Sequence, residues 1–377
     1  MPKKKTGISE DRNVEGGEIR KYSRISMRPI QEFSVQLLKG SQLKTGVFIS
    51  RPYEQGSRIV RLGHCVFACF ALDLIGEHEN SRRFYSWALE GLRKREDKIR
   101  SIVKKVKEGV TPVEHELLTS AFNPDGSELG EDDHHNLGDY GALLWGFVEH
   151  VHRSGSESLI DEYENEIRNL VEYLSSLWQL PSRDFWNLNP DKIHVSTLAQ
   201  VAGGLNWINA YLMRGDIDKT SNEIQSFLWS KFVEEDHLTS SYDVLKDQCG
   251  GLDATILLLA SPFQVVSGED PILKRTASLI EHSFLEEERD ARERKYNVAR
   301  VIPAALLLTL YYKSVKSNKN AEKVLSWVEA AAMENKILPE FDEKGFVSSL
   351  KHGYDTSVRK TSPSILSHAL YLMASLE

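Results

Sequence analysis

Residues Val195–Met213 read VSTLAQVAGGLNWINAYLM and contain no charged side chain. The preceding segment Glu157–Trp178 carries Glu, Asp or Arg through most of its length. A helix that is apolar all round must be buried on all sides, whereas a helix with one polar face borders water. The two segments therefore predict one fully buried helix beside one partly exposed helix.

The same alternation recurs along the chain. The nearly uncharged segments are Arg58–Ile75, Asn136–Arg153, Val195–Met213, Gly251–Ser261, Tyr296–Ser314 and Ser364–Leu376. The segments with one polar face are Pro29–Lys39, Glu79–Lys107, Glu157–Trp178, Asp216–Val233, Asp270–Leu285 and Ala321–Asn335. Six buried helices wrapped by six outer ones predict an all-α fold, an (α/α)6 barrel or six-hairpin toroid, as a single domain over residues 26–377. Residues 1–25 are expected to form a flexible tail.

The composition is that of a globular protein with a neutral or cationic ligand. The 377 residues are 41% hydrophobic, with only 24 Gly and 12 Pro, which excludes a fibrous or low-complexity chain. A formal net charge of −8 argues against nucleic acid or an anionic membrane as the main partner. No apolar segment follows the basic start of the chain, and the apolar run Val301–Tyr312 is too short to span a bilayer. We therefore expect a cytoplasmic protein, and the sequence leaves its oligomeric state open.

The long connections all precede buried helices. They are Val110–His135, Leu180–Lys192, Leu238–Gly250, Leu285–Lys295 and Lys336–Pro363. Connections that lead into the inner ring should all open on one end of the toroid. Long ordered loops in a compact domain are usually functional. We therefore expect the ligand site at this end, over the mouth of the inner ring.

The connection before Val195 carries side chains suited to a neutral sugar. It reads SRDFWNLN over Ser182–Asn189, so that Phe185, Trp186, Asn187 and Asn189 lie close together. Aromatic faces stack on the apolar faces of sugar rings, while amides and carboxylates hydrogen-bond to hydroxyl groups. The alternative, that Trp186 only closes the end of the barrel, stays open at this point.

No metal site or cofactor is expected. The run Glu131–His135 reads EDDHH, but consecutive loop residues rarely converge on one ion, so a solvated acidic loop is favoured. His150 and His152 are two residues apart on a helix and do not face each other, so we expect both on the surface. Cys65 and Cys69 share one helix face and are expected to be small buried hydrophobes, like Cys249.

Several motifs resemble the catalytic domain of glycoside hydrolase family fifteen, the glucoamylase and glucodextranase family. The resemblance rests on their order and spacing over most of the chain. They are ALDLIGEHE from Ala71, SRRFYSW from Ser81, DFWN from Asp184, HVSTLA from His194, LDATILLLA from Leu252, LPE from Leu338 and SHA from Ser367. The resemblance implies an (α/α)6 barrel that hydrolyses α-glucosides from the chain end with inversion, using one carboxyl group as general acid and one as general base.

This resemblance implies that Glu340 is the general base, but it leaves the general acid without a match. The family's acid should follow Trp186, where this chain has Asn187, and an amide cannot donate a proton in that way. Asp184 is the first candidate for a substitute acid, with Asp191 and His64 as others. We expect His64 also to contact the substrate.

Two further positions depart from the family's pattern. Gly63-His64 replaces the family's Arg-Asp pair on the second helix, and Tyr296–Ile302 replaces its glycine-rich turn. We expect Arg300, within that run, to contact the substrate. The remaining expected substrate contacts are Phe185, Trp186, Asn187 and Asn189.

Three functions are compatible with these observations. The first is an active glycosidase on neutral α-glucosidic oligosaccharides with a shifted acid. The second is a relative that binds carbohydrate or regulates without hydrolysis, which the joint departure of Asn187 and Gly63-His64 favours. The third is another toroid enzyme, such as a terpenoid or lanthionine cyclase. Two observations argue against it: no Asp-rich motif for a prenyl diphosphate lies on an inner helix, and the sequence shows no set of Cys and His residues for zinc.

Overall fold

The computed structural model describes residues 27–53, 58–130, 135–285, 302–332, 335–338 and 363–376, and the elements in them are mainly helical. The α-helices are α1 (Pro29–Ser41), α2 (Leu62–Asp73), α3 (His78–Arg93), α4 (Glu96–Lys107), α5 (Leu137–Ser154), α6 (Ser158–Glu162), α7 (Glu164–Leu177), α8 (Val195–Leu212), α9 (Gly215–Lys231), α10 (Pro271–Leu285), α11 (Ile302–Ser314), α12 (Asn318–Ala331) and α13 (Ile365–Leu376). Short 3-10 helices occupy Glu114–Glu116 and Ala254–Leu259. The strands are β1 (Val60–Arg61), β2 (Ala121–Phe122), β3 (Ile193–His194), β4 (Val233–Glu234), β5 (His237–Leu238), β6 (Ser241–Asp243) and β7 (Gln248–Gly250).

The helices divide into the two kinds that the charge pattern predicts. Every residue of α2 is buried, and α5, α8, α11 and α13 are buried along most of their length. The helices between them, such as α4, bury one apolar face and leave charged residues in water. The prediction of an all-α six-hairpin toroid is confirmed.

Two details of the helices differ from the sequence pattern. The fourth buried segment is a 3-10 helix, Ala254–Leu259, rather than an α-helix, and it ends shortly before Pro262, which has no N–H to continue a helix. The charged segments Glu79–Lys107 and Glu157–Trp178 are each broken into two helices. The first break falls at Lys94 and Arg95, between α3 and α4.

The described residues contain three small antiparallel sheets, and two of them lead into buried helices. Strand β1 pairs with β2 and leads directly into α2. Strand β3 pairs with β6, which pairs with β7, and β3 leads directly into α8. Strands β4 and β5 form the third sheet. Of the two short strand segments that the sequence indicates, Val47–Ser50 contributes one isolated bridge from Phe48 to Gln42, and Gly345–Ser349 lies outside the described residues.

The centre of the barrel is filled by aromatic rings from different elements. Phe67 of α2 lies 5.9 Å from Trp145 of α5 and 5.6 Å from Phe185, measured between ring centroids. Phe263 lies 5.0 Å from Trp145. Most of these contacts are edge-to-face, the arrangement that aromatic pairs prefer. The inner ring is therefore a packed core, closed beneath the loop that carries Phe185.

Helices α5 and α8 approach each other more closely than side chains would allow. A Cβ atom on Gly204 would lie 2.1 Å from the carbonyl oxygen of Gly141, and a Cβ atom on Gly141 would lie 2.4 Å from the carbonyl oxygen of Gln200. Both obstacles are backbone, which cannot rotate away. Glycine at these positions is therefore what sets the distance between the two helices.

No helix among the described residues is long and apolar enough to cross a membrane.

We expect Gly204→Ala to lower the free energy of unfolding by about 1–3 kcal/mol or more, because the added methyl group forces α5 and α8 apart. Urea unfolding followed by circular dichroism measures the change. Gly40→Ala is the matched control, since Gly40 also lies in a helix but a Cβ atom there would meet nothing within 4 Å. That control should be neutral or more stable by up to ~1 kcal/mol. Equal effects of the two substitutions would contradict this account of the helix contact.

Candidate active site

The loop before β3 is tied at several points to its surroundings. The Ser182 N–H donates to the Lys192 carbonyl at 3.1 Å, and the Arg183 N–H donates to the His135 carbonyl at 3.1 Å. The Asn136 side-chain amide donates to the Asp184 carbonyl at 2.9 Å. Asn136 also caps α5, since its side chain accepts a hydrogen bond from the backbone N–H of Asp139. The loop is therefore held against the start of α5, at the end of the barrel where the sequence places the ligand.

Asp184 is a buried carboxyl group inside this loop. Its Oδ1 accepts the Leu188 N–H at 2.8 Å, and its Oδ2 accepts the Asn189 side-chain amide at 3.1 Å. Burial raises the pKa of Asp184 to about 7, the negative charge of Asp253 adds to the rise, and the hydrogen bonds from Leu188 and Asn189 oppose it. Near neutral pH the group is therefore divided between its acid and its carboxylate form.

Trp186 connects this loop to the next one. Its indole Nε1 donates to the carboxylate of Asp253 at 3.1–3.2 Å, and its half-buried ring meets Phe185 edge-on at 5.0 Å. Asp253 also accepts the Thr255 N–H at 2.8 Å and so caps the 3-10 helix. Phe185 itself is buried against Phe67 in the barrel centre. Phe185 thus anchors the loop from below, while Trp186 keeps part of its ring exposed.

Asn187 and Asn189 both have left-handed backbones, with φ of 64° and 50°. Asparagine tolerates this conformation better than most residues. Asn187 is buried, and its Oδ1 has no hydrogen-bond partner among the described residues. Asn189 is exposed, and its carbonyl accepts the Nε2–H of His194 at 2.9 Å. Burial lowers the pKa of His194, so this ring is a neutral donor.

A second buried carboxyl group lies beside Gly63 on α2. A Cβ atom on Gly63 would come within 2.3 Å of Oδ1 of Asp139, the third residue of α5, so only glycine leaves room for this carboxyl group. Burial raises the pKa of Asp139 to about 6, against the lowering effects of the Gly63 N–H, Ser120 and Arg61. Its Oδ2 is buried without a hydrogen-bond partner among the described residues. His64, next to Gly63, is buried in the first turn of α2.

Gln200 of α8 faces Gly138, the residue before Asp139, across the contact between α5 and α8. A Cβ atom on Gly138 would lie 2.5 Å from Oε1 of Gln200. Both atoms of the Gln200 amide are buried and lack partners within the described part of the chain. Sequence reasoning missed Asp139 and Gln200. The available signal was a carboxylate and an amide in the first two turns of segments that are otherwise nearly apolar.

Several predicted residues lie outside the described part of the chain. These are Glu340, Arg300 and residues 131–134 of the acidic run. His135 is described and buried, with Nδ1 3.1 Å from the Leu118 carbonyl oxygen. The predicted burial of Cys65 and Cys69 is confirmed, whereas Cys249 of β7 is only partly buried, so the prediction is wrong for that residue.

The surface prediction holds for one histidine of α5 and is wrong for the other. His152 is exposed, whereas His150 is buried. Its Nδ1 lies 3.1 Å from both carboxylate oxygens of Asp73, at the end of α2. His150 is buried because it has a polar partner, Asp73, that lies far away in the sequence. Helix spacing alone does not reveal such a partner.

We expect Asp184 to make the protein less stable as the pH rises from about 4 to about 7. Its pKa is near 7 in the folded protein and near 3.8 when the chain unfolds, so the folded state holds more protons in this window. Asp184→Asn removes this loss because an amide does not ionise. Thermal melts at pH 5 and pH 8 should show a smaller drop in Tm for Asp184→Asn than for the wild type. Asp191→Asn, at an exposed aspartate of the same loop, should leave the wild-type drop unchanged, and an equal drop in all three proteins would contradict the prediction.

Comparisons with known proteins agree with this fold. An isomaltose glucohydrolase of Kribbella flavida is 24% identical over 292 residues, which cover 73% of this chain and 72% of that protein. A glycosidase variant solved in complex with glucose superposes with a TM-score of 0.78 at 21% identity, over 92% of this chain and 95% of that one. A glucoamylase from Saccharomycopsis fibuligera gives a TM-score of 0.65 at 13% identity, over 92% and 93% of the two chains. The model of glycosyl hydrolases family 15 matches residues 67–301, more than half of the sequence, and the chain therefore belongs to this family.

Proposed function

We propose that this protein is a glycosidase that hydrolyses α-glucosides at the mouth of the barrel. The observation that carries the proposal is Asp184, a carboxyl group that burial keeps partly protonated near neutral pH. A general acid works best when its pKa lies near the operating pH. The isomaltose glucohydrolase among the relatives makes isomaltose the first substrate to test.

In the proposed reaction Asp184 protonates the leaving oxygen and Glu340 removes a proton from the attacking water. Attack by water on the opposite face of the sugar inverts the configuration at the anomeric carbon. Once Oδ2 of Asp184 is protonated, it donates a hydrogen bond and no longer accepts one from Asn189. The new proton can then point to a substrate, because the hydrogen bond that it replaces comes from the exposed side chain of Asn189.

Asp139, Gln200 and Asn187 are proposed to hydrogen-bond the hydroxyl groups of the sugar. Each has a buried polar atom without a partner among the described residues, and such groups are costly unless something satisfies them. They lie on the first turn of α5, the second turn of α8 and the loop between α7 and β3. The half-exposed ring of Trp186 adds a stacking surface beside them.

A second function, sugar binding without hydrolysis, is favoured by the geometry of the same loop. Both carboxylate oxygens of Asp184 are engaged by Leu188 and Asn189, and Asn187 stands where the family's general acid is expected. An enzyme without its general acid typically loses about 10²–10⁴ in rate. Such a protein would still bind glucose at the mouth of the barrel.

We expect glucose to be released from isomaltose, and less or none from maltose and trehalose, in an assay of free glucose over time. Glu340→Gln should abolish the release because the amide cannot accept the proton of the attacking water. Activity that survives Glu340→Gln would overturn the role of that residue. Absence of hydrolysis of any α-glucoside, together with heat on titration with glucose, would establish the second function in place of the first.

We expect Asp184→Asn to lower kcat by about 10²–10⁴ and to leave KM nearly unchanged, because the amide keeps the loop contact to the Leu188 N–H but has no proton to donate. Asp191→Asn is the matched control and should retain full activity. If Asp184→Asn is as active as the wild type, Asp184 is not the acid.

Asn187→Glu separates the two functions further. Under the second function the new carboxyl group restores hydrolysis to an inactive protein, at a cost of about 1–2 kcal/mol in stability for a non-asparagine residue at φ 64°. Under the first function the wild type is already active. Glucose release by the wild type and by Asn187→Glu is measured with the same isomaltose assay.

A further inference from the structure

We propose that Asp73, His78 and His150 form a binding site for one divalent transition-metal ion of the zinc type. The site lies at the end of α2 that is opposite to Gly63 and His64. It is independent of the proposed hydrolysis, and none of its three residues takes part in that reaction.

The three residues converge from separate elements. Asp73 is the last residue of α2, His78 the first residue of α3, and His150 lies in the last two turns of α5. Nδ1 of His78 is 2.8 Å from Oδ1 of Asp73, and Nδ1 of His150 is 3.1 Å from both oxygens. One ligand atom from each residue lies within 4.8 Å of the other two.

The carboxylate of Asp73 needs a cation. Its side chain is 1% exposed, and within the described residues its ion-pair partners are the two imidazoles and no Lys or Arg. The nearby Arg153 is engaged by Glu149, at 3.1 Å. A buried charge is normally paired or bound to a metal. A divalent ion bound to the same three side chains would neutralise this charge.

The donor set and its geometry select the class of ion. Two imidazole nitrogens and one carboxylate oxygen suit Zn²⁺, Co²⁺ or Ni²⁺, while Mg²⁺ and Ca²⁺ prefer oxygen ligands only. Ligand atoms about 2.0–2.1 Å from a tetrahedral Zn²⁺ are about 3.3 Å apart. The nitrogen–oxygen distances of 2.8 and 3.1 Å are shorter than that value by about 0.5 and about 0.2 Å, so the side chains have to move only slightly to bind the ion. The side chain of His78 is 34% exposed, which gives the ion a path from solvent and leaves room for water as a fourth ligand.

Neighbouring groups support the orientation of the buried imidazole. The ring of His150 stacks on Tyr85 at a centroid distance of 5.2 Å and an angle of 27°. In the metal-free protein, each Nδ1–H donates to Asp73. When the ion binds, the two Nδ1–H bonds are replaced by bonds to the metal, and each proton is taken up at Nε2 of the same ring, which for His150 is buried and has no other hydrogen-bond partner among the described residues.

Titration of the chelator-treated protein with Zn²⁺ and Co²⁺ tests the proposal. We expect one ion per chain, a rise in Tm with Zn²⁺, and with Co²⁺ the visible absorption of a four-coordinate complex. Mg²⁺ should cause none of these changes. Absence of the Co²⁺ absorption would overturn the proposal, and the three residues would then be a hydrogen-bonded triad only.

Two variants locate the ion. His78→Ala should weaken Zn²⁺ binding by about 100-fold or more and abolish the Co²⁺ absorption, while the partial exposure of His78 keeps the fold intact. His152→Ala is the matched control, because this histidine lies on the same helix as His150 but is exposed, and it should bind like the wild type. Binding that is unchanged in His78→Ala, or lost in His152→Ala, would place the ion elsewhere and overturn the assignment.

Discussion

The close contact between α5 and α8 is the constraint on which the candidate site depends. Gly141 and Gly204 let the two helices touch through their backbones. Asp139 lies less than one turn before Gly141, and Gln200 lies one turn before Gly204, so the same contact brings their side chains to the same end of the barrel. A wider separation of the helices would leave a gap that water could enter, and the two groups would lose the burial that sets their properties.

Burial is also the physical origin of the proposed chemistry. The pKa values of Asp184 and Asp139 are raised to about 7 and about 6, in each case chiefly because the carboxyl group is removed from water. If both carboxyl groups were exposed to water, both would be ionised at neutral pH. The aromatic rings that fill the barrel centre, with Phe185 among them, exclude water from below the loop. The packing of the core therefore determines which carboxyl groups are able to donate a proton.

The sequence predicts the large features of the molecule because they follow from hydrophobic burial. A segment such as Val195–Met213 has nowhere to lie except inside, so the inner ring could be assigned from charge alone. The loop Ser182–Asn189 could be selected because its residue types are unusual together. The 3-10 conformation of Ala254–Leu259 could not, since six apolar residues fit an α-helix equally well.

Partnerships across the fold were beyond the reach of sequence reasoning. Asp184 owes its contacts to Leu188 and Asn189, which depend on two left-handed backbones within the loop. His150 is buried because Asp73, 77 positions earlier in the chain, accepts its hydrogen bond. Helix periodicity gives the spacing of residues within one helix and carries no information about such a partner.

The buried helices α2 and α5 place their charged and histidine side chains near their ends, where partners from other elements are within reach. In α2, Gly63 and His64 lie in the first turn and Asp73 is the last residue, about 14 Å farther along the axis. In α5, Asp139 lies in the first turn and His150 near the end. Between these positions both helices are lined with apolar side chains such as Phe67 and Trp145, which tolerate no unpaired charge. Along α2 and α5 an apolar stretch thus separates the polar groups at one end of the barrel from those at the other, and within these two helices no charged side chain links the two ends.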